Sequence, residues 1–151
     1  MATLTTYVWF DNDVEYAAKF YAAVIPNSQV REYVRAADGH VLTATLNLAG
    51  QTVTLTNSGP GHPVTDTVSF RIAVDTQEEI DRLWDALTEG GRGRPCGWLT
   101  DRFGLSWQVV PSILSSLTAS EDAVKSLAAD LVMRTMTKID IKVLRDAYDR
   151  G

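Results

Sequence analysis

The sequence predicts an α+β fold: two copies of one strand–helix–strands unit, followed by a helical tail. Three observations carry that prediction. The stretch TTYVWFDNDVEYAAKFYAAVI from Thr5 returns as VSFRIAVDTQEEIDRLWDALT from Val68, 63 residues later. At that shift Ala17, Phe20, Tyr21 and Val24 fall on Ile80, Leu83, Trp84 and Leu87, the apolar stripes of two amphipathic helices, and Thr6 falls on Ser69. Period-two alternation fills Val41 to Asn57, and helical periodicity takes over after Pro111.

Residues 4–10 are rich in β-branched and aromatic types and read as a strand. Asp11 and Asp13 stand where a helix begins, and either can cap it. Val14, Ala17, Tyr21 and Val24 form one helical face, and Pro26-Asn27 stops it. Residues 29–35 form a short exposed strand, and Asp38-Gly39 is a hairpin turn signal. In the next hairpin, which turns at Ala49-Gly50, Leu42, Ala44, Leu46 and Leu48 point one way and Thr43, Thr45 and Asn47 the other. Val53 and Leu55 then oppose Thr52, Thr54 and Thr56.

Ser58-Gly59-Pro60-Gly61-His62-Pro63 links the repeats. The second unit opens with Phe70, Ile72 and Val74 opposite Ser69, Arg71 and Ala73, then a helix from about Gln77 to Thr88. Glu89 to Gly97 reads as loop, Trp98-Leu99 as the start of a strand, 101–104 as a turn, and Leu105 to Val110 as the last strand. In the tail, Val124, Leu127, Ala128 and Leu131 make one helical stripe. Ile141, Leu144 and Tyr148 make another, capped by Asp140. Their apolar faces are expected to be buried on the body or on a second subunit.

The 151 residues are enough chain for one real core, so the whole is expected to be a single structural domain. Modules at about 1–57 and 66–111 make the body (1–111), and 112–151 is a helical C-terminal extension. The 45% hydrophobic and 22% charged content is that of a globular protein. A net charge of −5 argues against nucleic acid or an anionic membrane as partner. The single cysteine, Cys96, excludes an intrachain disulfide. With no signal-peptide pattern and no apolar run of spanning length, the expected location is cytoplasmic.

A sheet with helices on one side has its other face free to line a cup. Alternation gives that face Thr6, Val8 and Phe10, Thr43 and Thr45, Thr52, Thr54 and Thr56 in the first module. In the second it gives Ser69 and Arg71, then Ser106 and Gln108. The surface is neutral and hydrogen-bonding, with one positive charge. Its plain alternative is an ordinary solvated sheet face.

The segments WFDNDVEYAAKFY (Trp9–Tyr21), VSFRIAVDTQEEIDRLWDAL (Val68–Leu87), CGWLTDRFGLSWQVVP (Cys96–Pro111) and KIDIKVLRDAY (Lys138–Tyr148) touch both modules and the tail. Through them the chain resembles the vicinal oxygen chelate superfamily of glyoxalases, extradiol dioxygenases and bleomycin-resistance proteins. Its nearer resemblance is to the PhnB-like branch, which carries the name demethylubiquinone methyltransferase. The resemblance implies two βαβββ modules forming curved mixed sheets, and a homodimer whose sheets form the cups. It also implies metal-ligand slots on the first and last strands of each module. Here those slots fall at Thr6 (neighbours Thr5 and Tyr7), among Thr52 to Thr56, at Ser69 and at Gln108. A divalent transition metal needs imidazole, thiolate or carboxylate donors. The expectation is therefore no metal and no cofactor, and glyoxalase or dioxygenase chemistry does not follow from the fold.

Gln108 is the leading candidate: the strand sets its direction, and a neutral amide both donates and accepts. With it, Thr6, Ser69, Arg71, Thr54, Thr56 and Trp98 are expected to bind a small polar or aromatic molecule, Trp98 by stacking. Trp107 alternates with Leu105 and Val109 and belongs to the core. Three residues are weak catalytic candidates. His62 is a lid or base over the cup, or simply exposed in its linker. Cys96 is a nucleophile if Arg92 or Arg94 supplies a positive field, or a small packed thiol. Asp101 is an acid or base, or pairs with Arg102 or caps the turn. His40, after a hairpin turn, faces solvent. No glycine-rich turn joins a strand to a helix, so an adenosyl-type site is not expected and the methyltransferase name finds no support.

The function read from the sequence is a metal-free, dimeric small-molecule-binding module that sequesters a toxic compound or binds a metabolite. The alternatives are an enzyme of the same superfamily (lyase- or dioxygenase-like, or metal-independent) with an atypical site, and a structural dimer whose cup is incidental.

Overall fold

The computed structural model describes residues Met1–Gly151, which divide into two compact units, Met1–Pro63 and Val64–Gly151. The first runs β1 (Thr6–Phe10), α1 (Val14–Val24), β2 (Gln29–Arg35), β3 (Val41–Leu48) and β4 (Gln51–Asn57). Its sheet has the order β1-β4-β3-β2, with β1 parallel to β4 and the rest antiparallel. Ala17, Ala18 and Tyr21 of α1 are buried, as are Ala44, Leu46, Val53 and Leu55 of the sheet. Each large apolar side chain so buried contributes about 1.5–3 kcal/mol. The Ala49-Gly50 turn has positive φ at both residues (48° and 96°), the two-residue hairpin geometry that matches strand twist. Ser28 Oγ accepts from the Ala49 N–H at 2.9 Å and Asn47 Oδ1 from the Gly50 N–H at 2.9 Å, which helps hold alanine in a conformation it seldom adopts.

Three local expectations are corrected in this unit. Asp13 sits at the N-cap of α1 but makes no capping bond. Asn57 Oδ1, reaching from the end of β4, accepts from the Val14 N–H instead, at 3.2 Å. Leu42 is exposed and Val41 buried, because Arg35 pairs with Val41 while Val34 pairs with Thr43, leaving Leu42 as the extra residue of a bulge.

The third correction concerns β1. Thr6 pairs with Val53 and Val8 with Leu55, so both lie on the helix-covered face with buried Phe10, while Tyr7 pairs with Thr54 and Trp9 with Thr56 on the free face. The connection from β1 to α1 has three residues and that from β5 to α2 has two. The 63-residue shift that aligns the helix starts is therefore one residue out in the strands, and a one-residue slip exchanges every side chain between faces.

The second unit runs β5 (Ser69–Val74), α2 (Gln77–Thr88), β6 (Arg92–Gly93), β7 (Trp98–Thr100), β8 (Ser106–Pro111), α3 (Leu114–Thr118), α4 (Ala123–Met133) and α5 (Ile141–Arg150). Its sheet order is β5-β8-β7-β6, with β5 parallel to β8. A capping box starts α2: Thr76 Oγ1 accepts from the Glu79 N–H, and the Glu79 carboxylate accepts from the Thr76 N–H. Ile80, Leu83 and Leu87 are fully buried. Strand β6 lies inside the segment expected to be loop. It is two residues long, and its glycine is needed for space: a Cβ on Gly93 would stand 2.7 Å from the Trp84 ring. Glycine carries no strand propensity, which hid the element.

The tail packs on this unit through Val110, Leu114, Ala129, Ile139 and Leu144. Gln77 pins it, its amide donating to the Ile139 carbonyl at 3.0 Å and its carbonyl accepting from the Ile141 N–H at 2.9 Å. Asp140 caps α5 by accepting from the Val143 N–H. The α4 stripe does not pack on the body, the first of its two expected places: Val124, Leu127 and Leu131 are exposed in the single chain, while Ser126 and Ala129 face in. Small residues on the inner face let α4 lie close to α5, where Ala128 and Lys125 approach the C-terminal glycine. No helix is long and apolar enough to cross a membrane.

Candidate functional site

On the second sheet, strand pairing places Arg71 of β5 beside Gln108 of β8, and Gln108 beside Trp98 of β7. Paired residues share a face, so these three make one row across three strands. The next row holds Ser69, Ser106 and Thr100. The opposite face, carrying Phe70, Trp107 and Leu99, is apolar. Gln108 Nε2 donates to Ser69 Oγ at 2.9 Å, which fixes the amide and leaves its carbonyl oxygen available as an acceptor. The structure thus brings Ser69, Arg71, Trp98 and Gln108 together.

Arg94 joins this face and was not expected there. It follows β6, its N–H donating to the Trp98 carbonyl at 2.8 Å. Its guanidinium donates to Ser106 Oγ at 3.1 Å and to the Asp66 carboxylate at 3.2 Å, and it stands over the Trp98 ring at 5.3 Å. The sequence marked Arg94 only as a possible field for Cys96. With Gly91 before β6 and Gly93 inside it, the segment shows no alternation from which the direction of Arg94 can be read.

In the first unit, Thr54 and Thr56 lie on the free face as expected but are buried. Thr54 exchanges a hydrogen bond with Thr45 at 3.0 Å, and Thr56 with Ser58 at 2.9 Å. Thr6, on the other face, accepts from the Gln51 amide at 2.9 Å. Its place on the free face is taken by Tyr7 and Trp9. Trp9 Nε1 donates to the Gly59 carbonyl at 2.8 Å, and the His62 ring lies 4.0 Å from the Trp9 ring, centroid to centroid. The linker thereby returns across the aromatic end of β1. His40 is exposed beside Asp38, with which it makes a short contact.

Of the catalytic candidates, Asp101 is fully engaged in structure. It is buried, Oδ1 accepting from the Phe103 and Leu105 N–H groups at 2.8 and 3.0 Å and Oδ2 from Trp107 Nε1 at 2.9 Å. Its carboxylate holds the β7–β8 turn closed against the core tryptophan. Cys96 is half-buried with a left-handed backbone (φ 65°), and its N–H donates to the Met136 carbonyl at 2.9 Å. Of the two arginines expected to supply a field, Arg94 has its guanidinium turned to Ser106 and Asp66 instead.

The positions that the resemblance assigns to metal ligands carry hydroxyls and an amide, with Ser69 and Gln108 bonded to each other. No group of three or more His, Cys, Asp or Glu side chains converges in the chain. This donor set does not fit a divalent transition metal.

A family model described as 3-demethylubiquinone-9 3-methyltransferase matches residues 2–110. Among solved structures, a 3-demethylubiquinone-9 3-methyltransferase-like PhnB protein from Bacillus cereus is similar at 27% identity and a TM-score of 0.64, covering 72% of this chain and 99% of that one. A glyoxylase/bleomycin resistance protein/dioxygenase domain from Frankia sp. is similar in fold, at 12% identity, TM-score 0.50, and 74% and 93% coverage of the two chains. So is the fosfomycin resistance protein FosX from Listeria monocytogenes, at 10% identity, TM-score 0.52, and 75% and 95% coverage. No curated protein matches the sequence.

Proposed function

The chain belongs to the 3-demethylubiquinone-9 3-methyltransferase family, whose model spans both modules, and we propose that this member binds a small organic molecule on the free face of its second sheet, without a metal. The observation that carries the reading is the Arg71–Gln108–Trp98 row: a cation, an amide held by Ser69 with its acceptor free, and an aromatic ring, on three adjacent strands. Such a row recognises a ligand by hydrogen bond, charge and stacking at once. The family's name does not supply the chemistry. The strand-to-helix links are Asp11-Asn12-Asp13 and Asp75-Thr76, with no glycine at which an adenosyl cofactor's backbone contacts form. Asp101 supports binding over catalysis, since its carboxylate is spent on the turn.

The working form in this reading is a homodimer, as the resemblance implies, in the cytoplasmic location expected from the sequence pattern. The exposed Val124, Leu127 and Leu131 stripe of α4 is apolar surface available to an assembly. The test is a thermal-shift screen of small polar and aromatic compounds at one fixed concentration, where a tighter binder raises Tm further. The reading expects hits whose shift is lost in Gln108→Ala and kept in His62→Ala and Cys96→Ala. Turnover of a hit that disappears in His62→Ala or Cys96→Ala while binding persists establishes the enzyme instead.

A further inference from the structure

The ligand's charge can be read from Arg94, given the binding site proposed above, on which this inference rests. The Arg94 side chain is 17% exposed, while its only carboxylate partner, Asp66, is 67% exposed. The Nε–H is buried and has no hydrogen-bond partner. Taking a guanidinium out of water is costly unless charge and hydrogen bonds replace the water. Here one surface carboxylate and one serine hydroxyl do so incompletely. Arg71, two positions along from Ser69 on the neighbouring strand, adds a second positive charge and makes no ion pair.

We infer that this face selects a small aromatic or conjugated carboxylate, and that Asp66 occupies the ligand carboxylate's place until the ligand displaces it. Asp66 lies in the turn ahead of β5 and is held to the face by Arg94. An incoming carboxylate exchanges one oxyanion for another at the guanidinium and gains Arg71, which Asp66 does not reach. Neighbouring strands lie about 4.8 Å apart, so the Arg71 and Trp98 backbones are about 10 Å apart across β8, a gap that the long Arg71 side chain narrows toward a carboxylate held beside Arg94. The Gln108 carbonyl between them accepts from a hydroxyl or amine on the ring, and the Trp98 indole gives its flat body an aromatic neighbour.

The test compares benzoate with its neutral isostere benzamide, titrated by calorimetry and by NMR into wild type, Asp66→Asn, Arg71→Gln, Arg94→Gln and Gln108→Ala. The expected result is benzoate binding about tenfold tighter than benzamide, the effect of one well-placed charge pair. Asp66→Asn strengthens benzoate and leaves benzamide unchanged, and Arg71→Gln removes the preference. Both variants are at exposed positions, so the result does not depend on whether the more buried Arg94→Gln folds. Benzamide binding as tightly as benzoate overturns the inference, and if Gln108→Ala weakens both, the binding reading survives it. A benzoate preference indifferent to Asp66→Asn and Arg71→Gln also overturns it. Failure of both probes to bind overturns the inference and counts against the binding site itself.

Discussion

Replacing Asp101 by asparagine swaps a buried carboxylate for an amide of almost the same shape, and the structure fixes what that costs. The aspartate accepts three hydrogen bonds, from Phe103 N, Leu105 N and Trp107 Nε1, and offers no donor in return. Asparagine keeps its single carbonyl for the two backbone N–H groups and must point its NH2 at the indole N–H, donor against donor. One charge-assisted bond is lost and a buried indole N–H is left unsatisfied, together about 3 kcal/mol. Asp101→Ala removes the acceptors from all three donors and costs about 4–5 kcal/mol. For a chain of this length about 3 kcal/mol lowers Tm by roughly 6–12 °C. Urea unfolding followed by circular dichroism, alongside calorimetry, measures both. An Asp101→Asn variant within about 0.5 kcal/mol of wild type refutes the structural role and returns Asp101 to the catalytic candidates.

Leu144→Ala, at a fully buried position of α5, is expected to cost about 2–5 kcal/mol, whereas Leu127→Ala on the exposed face of α4 stays within about 0.5 kcal/mol in the dissociated chain; urea unfolding of the two at low protein concentration decides which face of each helix is core within one chain. Gly97→Ala forces a residue at φ 80° and sets a Cβ 2.9 Å from the Val109 carbonyl. It is expected to lose about 2 kcal/mol or more and to loosen the tail, read as faster hydrogen exchange over 136–144. The Thr76 hydroxyl and N–H hold the Glu79 carboxyl below its ordinary value of 4.5. A lowered folded value means the stabilisation is present above the unfolded value and lost as pH falls through the folded one, so Glu79→Gln should flatten the acid limb of the Tm–pH curve below about 4.5 and change its slope little at neutral pH.

The sequence carries the architecture well because its signals are repeated. Alternation in β3 and β4 and the stripes of α1 and α2 each recur over several residues, so one ambiguous position does no harm. Facing is more fragile. Thr6 is misplaced because β1 alternates weakly, and the repeat cannot correct it, since the strand-to-helix links of the two modules differ by one residue. Gln108 could be placed because β8 carries its own alternation, Trp107 and Val109 being buried on either side. Arg94 could not, since its position depends on a two-residue strand containing glycine and on pairing with a distant strand. The α4 stripe shows a different limit: periodicity finds an apolar face but does not say which side the rest of the chain leaves room for, and Ser126 with Ala129 gives the closer approach.

The central claim is that the face around Gln108 holds an organic molecule without a metal. Native mass spectrometry of untagged protein, purified from its own cells, tests it most directly when wild type and Gln108→Ala are compared. The expected spectrum carries a small organic adduct on wild type, absent or much reduced in the variant, and no transition metal in either. A stoichiometric transition metal on wild type, retained in Gln108→Ala, contradicts it.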